Sequence, residues 1–403
     1  MEDVLEGFSL ARRAARLSPV LPPSGHHNVI AFESGHAFSG ILPDMVEAAQ
    51  EALTTYRAET LQYAPKPGLP ELREWIVDHM NADGANVATD EVMVVNGAKN
   101  GLDLACRLLL DEGDHIVVTA PTYFTAIPIF RSFGAQFIEV GQDEEGLDVA
   151  ELDTILGRLK REGRRLPKFI YNVPDFHNPT GVTMTRRRRE ALVELAANNG
   201  ILIIEDSPYR KVRFDGDSEP PLKALDPSNV VILLGTFSKL MAPGLRIGWV
   251  VAAEELIARL IQLKADGGTC PLTQRMIVEF CKAGHLEPHI ERVQETYRNH
   301  RDRMVAALRE HLPEAETVIP QGGYYLWVRL PVTVDGDELA QRAGAASVLL
   351  LAGSRCFAGG GRAYPDNQGS PRNYVRLAYS HAGLEEIEEG VERIAKALRS
   401  MDR

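Results

Sequence analysis

Near the middle of the chain an apolar run at 230–234 leads into Gly235-Thr236-Phe237-Ser238-Lys239, and Arg246 follows seven residues later. A lysine so close to a buried strand end is costly to desolvate unless its pKa falls or its amine bonds covalently. Condensation with an aldehyde cofactor to form a Schiff base is one chemistry that uses such an amine. The hydroxyls of Thr236 and Ser238 and the guanidinium fork of Arg246 suit a dianionic phosphate. A Ser-Lys pair standing alone is more often an ordinary loop, so its neighbours decide the reading.

Those neighbours are informative. Asp206 closes another apolar run, at 201–204, and an ionised carboxylate there suits the protonated pyridine nitrogen of pyridoxal 5′-phosphate (PLP). Tyr209, three residues on, is placed to donate to the phenolate oxygen of that cofactor, and Asn178, in His177-Asn178-Pro179-Thr180-Gly181, offers an amide to the same oxygen. Alone, the Asp reads as a helix cap and the Asn as a turn residue. Gly97-Ala98-Lys99 runs from strand into helix, where small residues let backbone N–H groups approach a phosphate at the positive helix end. Tyr123, after the next strand, presents a ring that either stacks on a flat heteroaromatic or packs in the core. Arg376 lies inside a strand suited to burial, where either a substrate α-carboxylate or an internal salt bridge satisfies its two-pronged geometry.

Positioning these groups is the work of an alternating chain. Strand-like runs at 92–95, 115–119, 136–140, 168–171, 201–204, 230–234 and 246–251 are separated by helical patterns such as 100–110 and 186–199. Several runs are continuously apolar, as strands covered on both faces are. The class is α/β: a mainly parallel sheet with helices on both faces, whose ligands collect at the carboxyl ends of the strands. Past residue 253 charged helices dominate (255–263, then a single long pattern at 274–312). A strand at 323–330, a glycine-rich loop at 358–371, a strand at 374–380 and a closing helix at 384–401 complete a smaller α+β domain. The expected division is 1–50 joining the small domain, 51–285 as the large domain and 286–403 as the small one.

With 403 residues the chain is long enough to bury a cofactor, and its net charge of −12 is a poor match for nucleic acid. Cys106, Cys270, Cys281 and Cys356 show neither a disulfide framework nor metal-ligand spacing, so no metal is expected and a reduced, cytoplasmic setting is. Residues 1–15 lack the apolar run of a secretory signal, and no window reaches the length of a membrane span.

Taken in order from about Ile30 to Arg376, these motifs resemble the class I and II aminotransferases of the aspartate aminotransferase fold, fold type I. The branch most similar is that of the 2-aminoadipate, kynurenine and aromatic amino-acid aminotransferases. The resemblance implies a PLP-dependent transferase fold with a seven-stranded sheet in the large domain. It implies a homodimer with active sites shared at the interface, and transfer of an amino group between an L-amino acid and a 2-oxo acid through a Lys239 Schiff base and ketimine. It implies Lys239 as the proton shuttle, Asp206 at the ring nitrogen, Asn178 and Tyr209 at the phenolate oxygen, and Tyr123 stacked on the ring. Gly97, Ala98, Lys99, Thr236, Ser238 and Arg246 would hold the phosphate, with Tyr63 reaching the neighbouring subunit's phosphate. Arg376, helped by the Gly35 backbone and Asn178, would hold the substrate carboxylate.

Three departures stand out. Gly35-His36-Ala37 replaces the usual Gly-x-Pro, Lys99 stands where many relatives carry Gln, and 266–271 holds no arginine for a second carboxylate, a role Arg12, Arg13 or Arg16 could fill. His36, Phe38 and Phe124 are candidates for the side-chain pocket or for plain packing. The altered loop keeps open a PLP-dependent lyase, decarboxylase, cyclase or carbon–carbon bond-forming enzyme of the same fold. A PLP-sensing regulator fits less well, because about 30 residues ahead of the first motif are too few for a helix-turn-helix module. The amino donor and the oxo-acid acceptor are not legible.

Overall fold

The computed structural model describes residues 29–359 and 371–401, together with 11, 13 and 14. The chain enters at a two-residue strand, β1 (Ile30–Ala31), and then builds one eight-stranded sheet. Its strands are β2 (Val92–Val95), β3 (His115–Ala120), β4 (Gln136–Asp143), β5 (Gly146–Leu147), β6 (Phe169–Asn172), β7 (Leu202–Asp206), β8 (Val231–Thr236) and β9 (Gly248–Val251). They lie in the order β2-β9-β8-β7-β6-β3-β4-β5. The run β4-β3-β6-β7-β8 is parallel, while β9 is antiparallel to both β8 and β2. All seven expected strands are present. The eighth, β5, pairs with the end of β4 across a tight turn and is too short to show as an apolar run.

The continuous apolar runs are explained by burial on both faces. Ile116 and Val118 pack in the same cluster as Leu102 and Leu104 of the helix Ala98–Leu109 and Ile257 and Leu260 of Glu254–Leu263. Val117, between them, points the other way, into a cluster with Leu152 and Leu156 of Val149–Arg161 and Leu192 of Arg186–Asn199. Period-two alternation thus persists in direction while disappearing from polarity.

The long helical pattern expected at 274–312 is two helices, Pro271–Lys282 and Leu286–His311. Gly284 separates them at φ +73°, with its N–H donating to the Cys281 carbonyl (3.0 Å) and that of His285 to Phe280 (3.2 Å). That pair of reversed bonds is a glycine C-terminal cap, and it ends the first helix where periodicity alone ran on.

Four further strands, β10 (Glu316–Thr317), β11 (Tyr325–Arg329), β13 (Leu351–Ala352) and β14 (Tyr374–Ala378), form an antiparallel sheet ordered β10-β11-β14-β13, and β12 (Val348–Leu349) pairs with β1. The Ala378 N–H donates to the Phe32 carbonyl (2.8 Å), so the segment following β1 runs beside β14. The glycine-rich loop at 358–371 falls outside the described residues over 360–370, as do Arg12 and Arg16; Arg13 is exposed.

Six strands, β2, β3, β4, β6, β7 and β8, point the same way, and their carboxyl ends form one edge of the sheet. There β8, β9 and the turn after β2 converge on Gly248. A methyl group on it would lie 2.7 Å from the Gly235 carbonyl oxygen and 2.8 Å from both Ala98 N and Gly97 C. All three are backbone atoms and cannot yield locally. Gly248→Ala is therefore expected to lower the unfolding free energy by about 1–3 kcal/mol, read as a lower midpoint in a urea titration. An unchanged midpoint would mean the convergence is looser than described.

Candidate active site

At that edge lies a cavity of about 620 Å³, lined among others by Lys239, Asp206, Asn178, Tyr209, Tyr123 and Arg376. Each arrives on the loop its strand dictates: Tyr123 after β3, Asn178 after β6, Asp206 and Tyr209 at and after β7, and Lys239 after β8. Arg376 comes from β14 of the small sheet, opposite Trp327 and Leu351. Gly35 and His36 come from the segment after β1.

One end of the cavity is shaped for an anion. The helix Ala98–Leu109 begins at Gly97 (φ +82°) with no side-chain cap, so its first N–H groups are left for another acceptor. A Cβ on Gly97 would sit 2.6 Å from Arg246 Nη2, so the guanidinium rests against this glycine, whose positive φ an L side chain rarely adopts. Arg246 donates to Ser238 Oγ (3.3 Å) and to the Asn96 carbonyl (3.3 Å), and Thr236 Oγ1 lies 3.0 Å from Ser238 Oγ. Thr236, Ser238, Ala98, Lys99 and Arg246 all face the same space.

The floor carries Asp206, only 6% exposed. Its Oδ2 accepts from the Tyr171 hydroxyl at 2.6 Å, while its Oδ1 is buried without any partner. Burial pushes its carboxyl up to about 6, against the opposing pull of the Tyr171 hydrogen bond and of Lys99. Lys239, half-buried, donates to the Gly35 carbonyl (2.6 Å) and has no carboxylate partner; its Nζ lies 4.8 Å from the centre of the Tyr324 ring. Desolvation first, then Arg376, Lys99 and Arg246, push its pKa down to about 8.

Arg376 is 1% exposed and lies between two rings, 4.1 Å from the centre of Tyr325 and 5.1 Å from that of Phe124. It donates to Asn178 Oδ1 (2.8 Å) and to the Glu33 carbonyl, and its Nε has no partner. Among the described residues it forms no salt bridge, so the internal ion pair is absent. With its oxygen on Arg376, the Asn178 amide leaves Nδ2 buried and unpaired. The Tyr209 and Tyr325 hydroxyls are 3.3 Å apart.

Gly35, Ala98, Lys99, Tyr123, Asn178, Asp206, Tyr209, Thr236, Ser238, Lys239, Arg246 and Arg376 line one cavity, with Gly97 against Arg246 at its phosphate-like end. Tyr63 does not; it is 84% exposed. His36 and Phe124 line the cavity, and Phe38 packs against the core instead. Residue pattern does not single out Tyr325, whose hydroxyl lies 2.0 Å from where a Gly35 Cβ would be, or Tyr171, which reads as one more apolar strand residue. Nothing in their local pattern marks either as polar in function.

The unpaired atoms test the expected cofactor. A buried acceptor at Asp206 Oδ1 matches a protonated ring nitrogen, a buried donor at Asn178 Nδ2 matches a phenolate, and the uncapped helix start matches a phosphate. The residues present fit PLP, and Arg376 Nε remains for a carboxylate.

Comparison with known proteins agrees. Residues 27–394 match the model of the aminotransferase class I and II family. The chain is 32% identical to aromatic-amino-acid aminotransferase 1 of Thermococcus litoralis, over 97% of this chain and 93% of that one. It is 33% identical to the 2-aminoadipate transaminase of Thermus thermophilus, covering 96% and 95%. It is also 30% identical to an uncharacterized HTH-type transcriptional regulator, YdfD, of Bacillus subtilis, over 93% of this chain and 75% of the regulator. Among solved structures, the kynurenine aminotransferase of Pyrococcus horikoshii in complex with PMP superposes with a TM-score of 0.90 at 31% identity, covering 100% and 99% of the two chains.

In the cofactor-free protein, labelling of Lys239 by an amine-reactive reagent should rise with pH through a midpoint near 8, against about 10.4 for an ordinary lysine. Removing the Lys99 charge (Lys99→Gln) should move that midpoint upward. Peptide mapping of the label reads both; a midpoint near that of free lysine would contradict the described environment.

Proposed function

This chain belongs to the class I and II aminotransferases and is a PLP-dependent enzyme, and from that premise we propose a division of labour among its cavity residues. The observation that carries it is that Lys239, Asp206 and Arg376, three charged groups, line one cavity and, among the described residues, none of them forms a salt bridge. When bound, PLP supplies an aldehyde that condenses with amines and a ring that takes up the electron pair left by a departing α-proton.

Lys239 Nζ, with its pKa pushed down to about 8, is in part a free amine near neutrality and takes the proton from the substrate Cα. Its bond to the Gly35 carbonyl holds that amine beside the segment that covers the substrate. Asp206 Oδ1 holds the proton on the ring nitrogen. Asn178 Nδ2 and the Tyr209 hydroxyl bind the phenolate oxygen, and Tyr123 stacks on the ring. The first N–H groups of the helix at Ala98 and Lys99, the Gly97 turn, the Thr236 and Ser238 hydroxyls and Arg246 hold the phosphate.

Arg376 binds the α-carboxylate, beside Gly35 and Asn178. Its bonds to Asn178 and the Glu33 carbonyl and its two ring neighbours leave the guanidinium little freedom. A fixed carboxylate in turn fixes how Cα is presented to Lys239. The substrates in this reading are an L-amino acid and a 2-oxo acid.

The working unit in this reading is a homodimer. Leu42, Val46, Leu53, Leu61 and Tyr63 are all exposed within 22 residues, a concentration of apolar surface that suits burial against a second copy. Tyr63 has no part in its own chain's cavity, which supports its reaching the neighbour's phosphate. Cytoplasmic placement is supported by four free cysteines, and absence of nucleic-acid binding by the net charge of −12. Among the described residues no helix is long and apolar enough to cross a membrane. The same reading keeps 1–50 with a small domain at 286–403, supported by the β1–β12 pairing, and 51–285 as the large domain.

Three measurements check this. Purified holoprotein given single amino acids should lose its yellow absorbance for some of them and regain it on addition of a 2-oxo acid, while Lys239→Ala should lose at least about a thousandfold in turnover. Light scattering should give twice the 44.4 kDa chain mass. Product formation without the reversible colour change would contradict transamination, and a monomeric mass would contradict the shared site.

A further inference from the structure

We propose that Tyr171 is a positioning residue for this reaction: its phenol ties down Oδ2 of Asp206 so that Oδ1 alone is presented to the cofactor's ring nitrogen. The inference rests on the assignment of Asp206 given above and deepens it.

Tyr171 is on β6 and Asp206 on β7, neighbouring parallel strands. The hydroxyl donates to Oδ2 at 2.6 Å, short enough for a bond to an ionised acceptor. Tyr171 is fully buried, and its ring packs edge-on against Phe130 at 5.3 Å, so the hydroxyl has no freedom to leave. The two oxygens of a carboxylate are chemically equivalent until something distinguishes them. Here one is occupied and the other is buried without a donor.

The charged and titratable groups around this carboxylate come from four segments. They are Tyr171 on β6, Lys99 on the helix Ala98–Leu109, Tyr123 after β3, and Tyr209 after β7, which acts on Tyr171. Among the described residues only Tyr171 is hydrogen-bonded to the Asp206 carboxylate. Burial and the adjacent Asp206 push the Tyr171 phenol well above its ordinary range, so it stays protonated and can only donate toward an ionised partner. That bond and the nearby Lys99 pull the Asp206 carboxyl down against its burial, and about 6 is where the three leave it. Without the phenol, Asp206 protonates more readily near neutrality and can no longer hold the ring proton.

The test titrates PLP into cofactor-free Tyr171→Phe, Asp206→Asn and native protein, following absorbance, from pH 6 to pH 9. Phe keeps the ring and its packing. The expected result is an affinity roughly tenfold weaker than native at pH 6.5 for Tyr171→Phe, a loss the size of one hydrogen bond to a charged group. The loss should narrow toward pH 9, where Asp206 is ionised with or without the phenol. Phe130→Leu, which loosens the same packing but leaves the hydroxyl, should lower thermal stability with no pH-dependent loss of affinity. If Asp206→Asn binds poorly while Tyr171→Phe follows the native curve at every pH, the role of Tyr171 is overturned and that of Asp206 stands. If Asp206→Asn binds like native, the ring-nitrogen assignment fails and takes this inference with it. A loss in Tyr171→Phe that is the same at every pH, and shared by Phe130→Leu, would make Tyr171 a packing residue only.

Discussion

Charge lining a cavity without a salt-bridge partner is the constraint on which the rest of this structure depends. Lys239, Asp206 and Arg376 line one cavity, and each costs free energy to keep there alone. The amine responds by giving up its proton more readily and the carboxyl by keeping its own longer. In the proposed assignment a cationic ring nitrogen, an aldehyde and a carboxylate would reverse each of those costs, which would concentrate binding energy where the chemistry takes place.

Holding such groups in place requires a rigid scaffold, and the sheet provides one. Six strands pointing the same way deliver loops to one edge, and strands buried on both faces leave little room for the floor to relax. The convergence at Gly248 joins the lysine loop to the uncapped helix start, which keeps the phosphate end and the amine at a fixed separation. Arg376 belongs to the other sheet, and its bond to Asn178 ties that sheet to the loop after β6 across the cavity.

Much of this was legible from residue types. Lys239, Asp206 and Asn178 follow apolar runs at strand ends, so polarity at the edge of burial marks them before any coordinates are known. Arg376 was legible as a charge inside a strand, although its freedom from carboxylates was not, since that depends on what every other segment does. Tyr171 and Tyr325 were hidden because tyrosine in a buried strand looks like packing, and a hydroxyl 2.6 Å from a carboxylate leaves no trace in spacing. The break at Gly284 was missed for a related reason: amphipathic period continues through a one-residue cap, and only the positive φ ends the helix. Tyr63 is the opposite case, a residue whose expected role lies beyond its own chain.

The central claim, that Lys239 is the amine that bonds the cofactor, is tested most directly by borohydride reduction of the holoprotein followed by peptide mapping. Reduction makes the bond between amine and cofactor permanent, and Lys99, which lines the same cavity, is the natural competitor. The account predicts one stable pyridoxyl adduct, on the peptide containing Lys239. An adduct on Lys99, or spread over surface lysines, would contradict it.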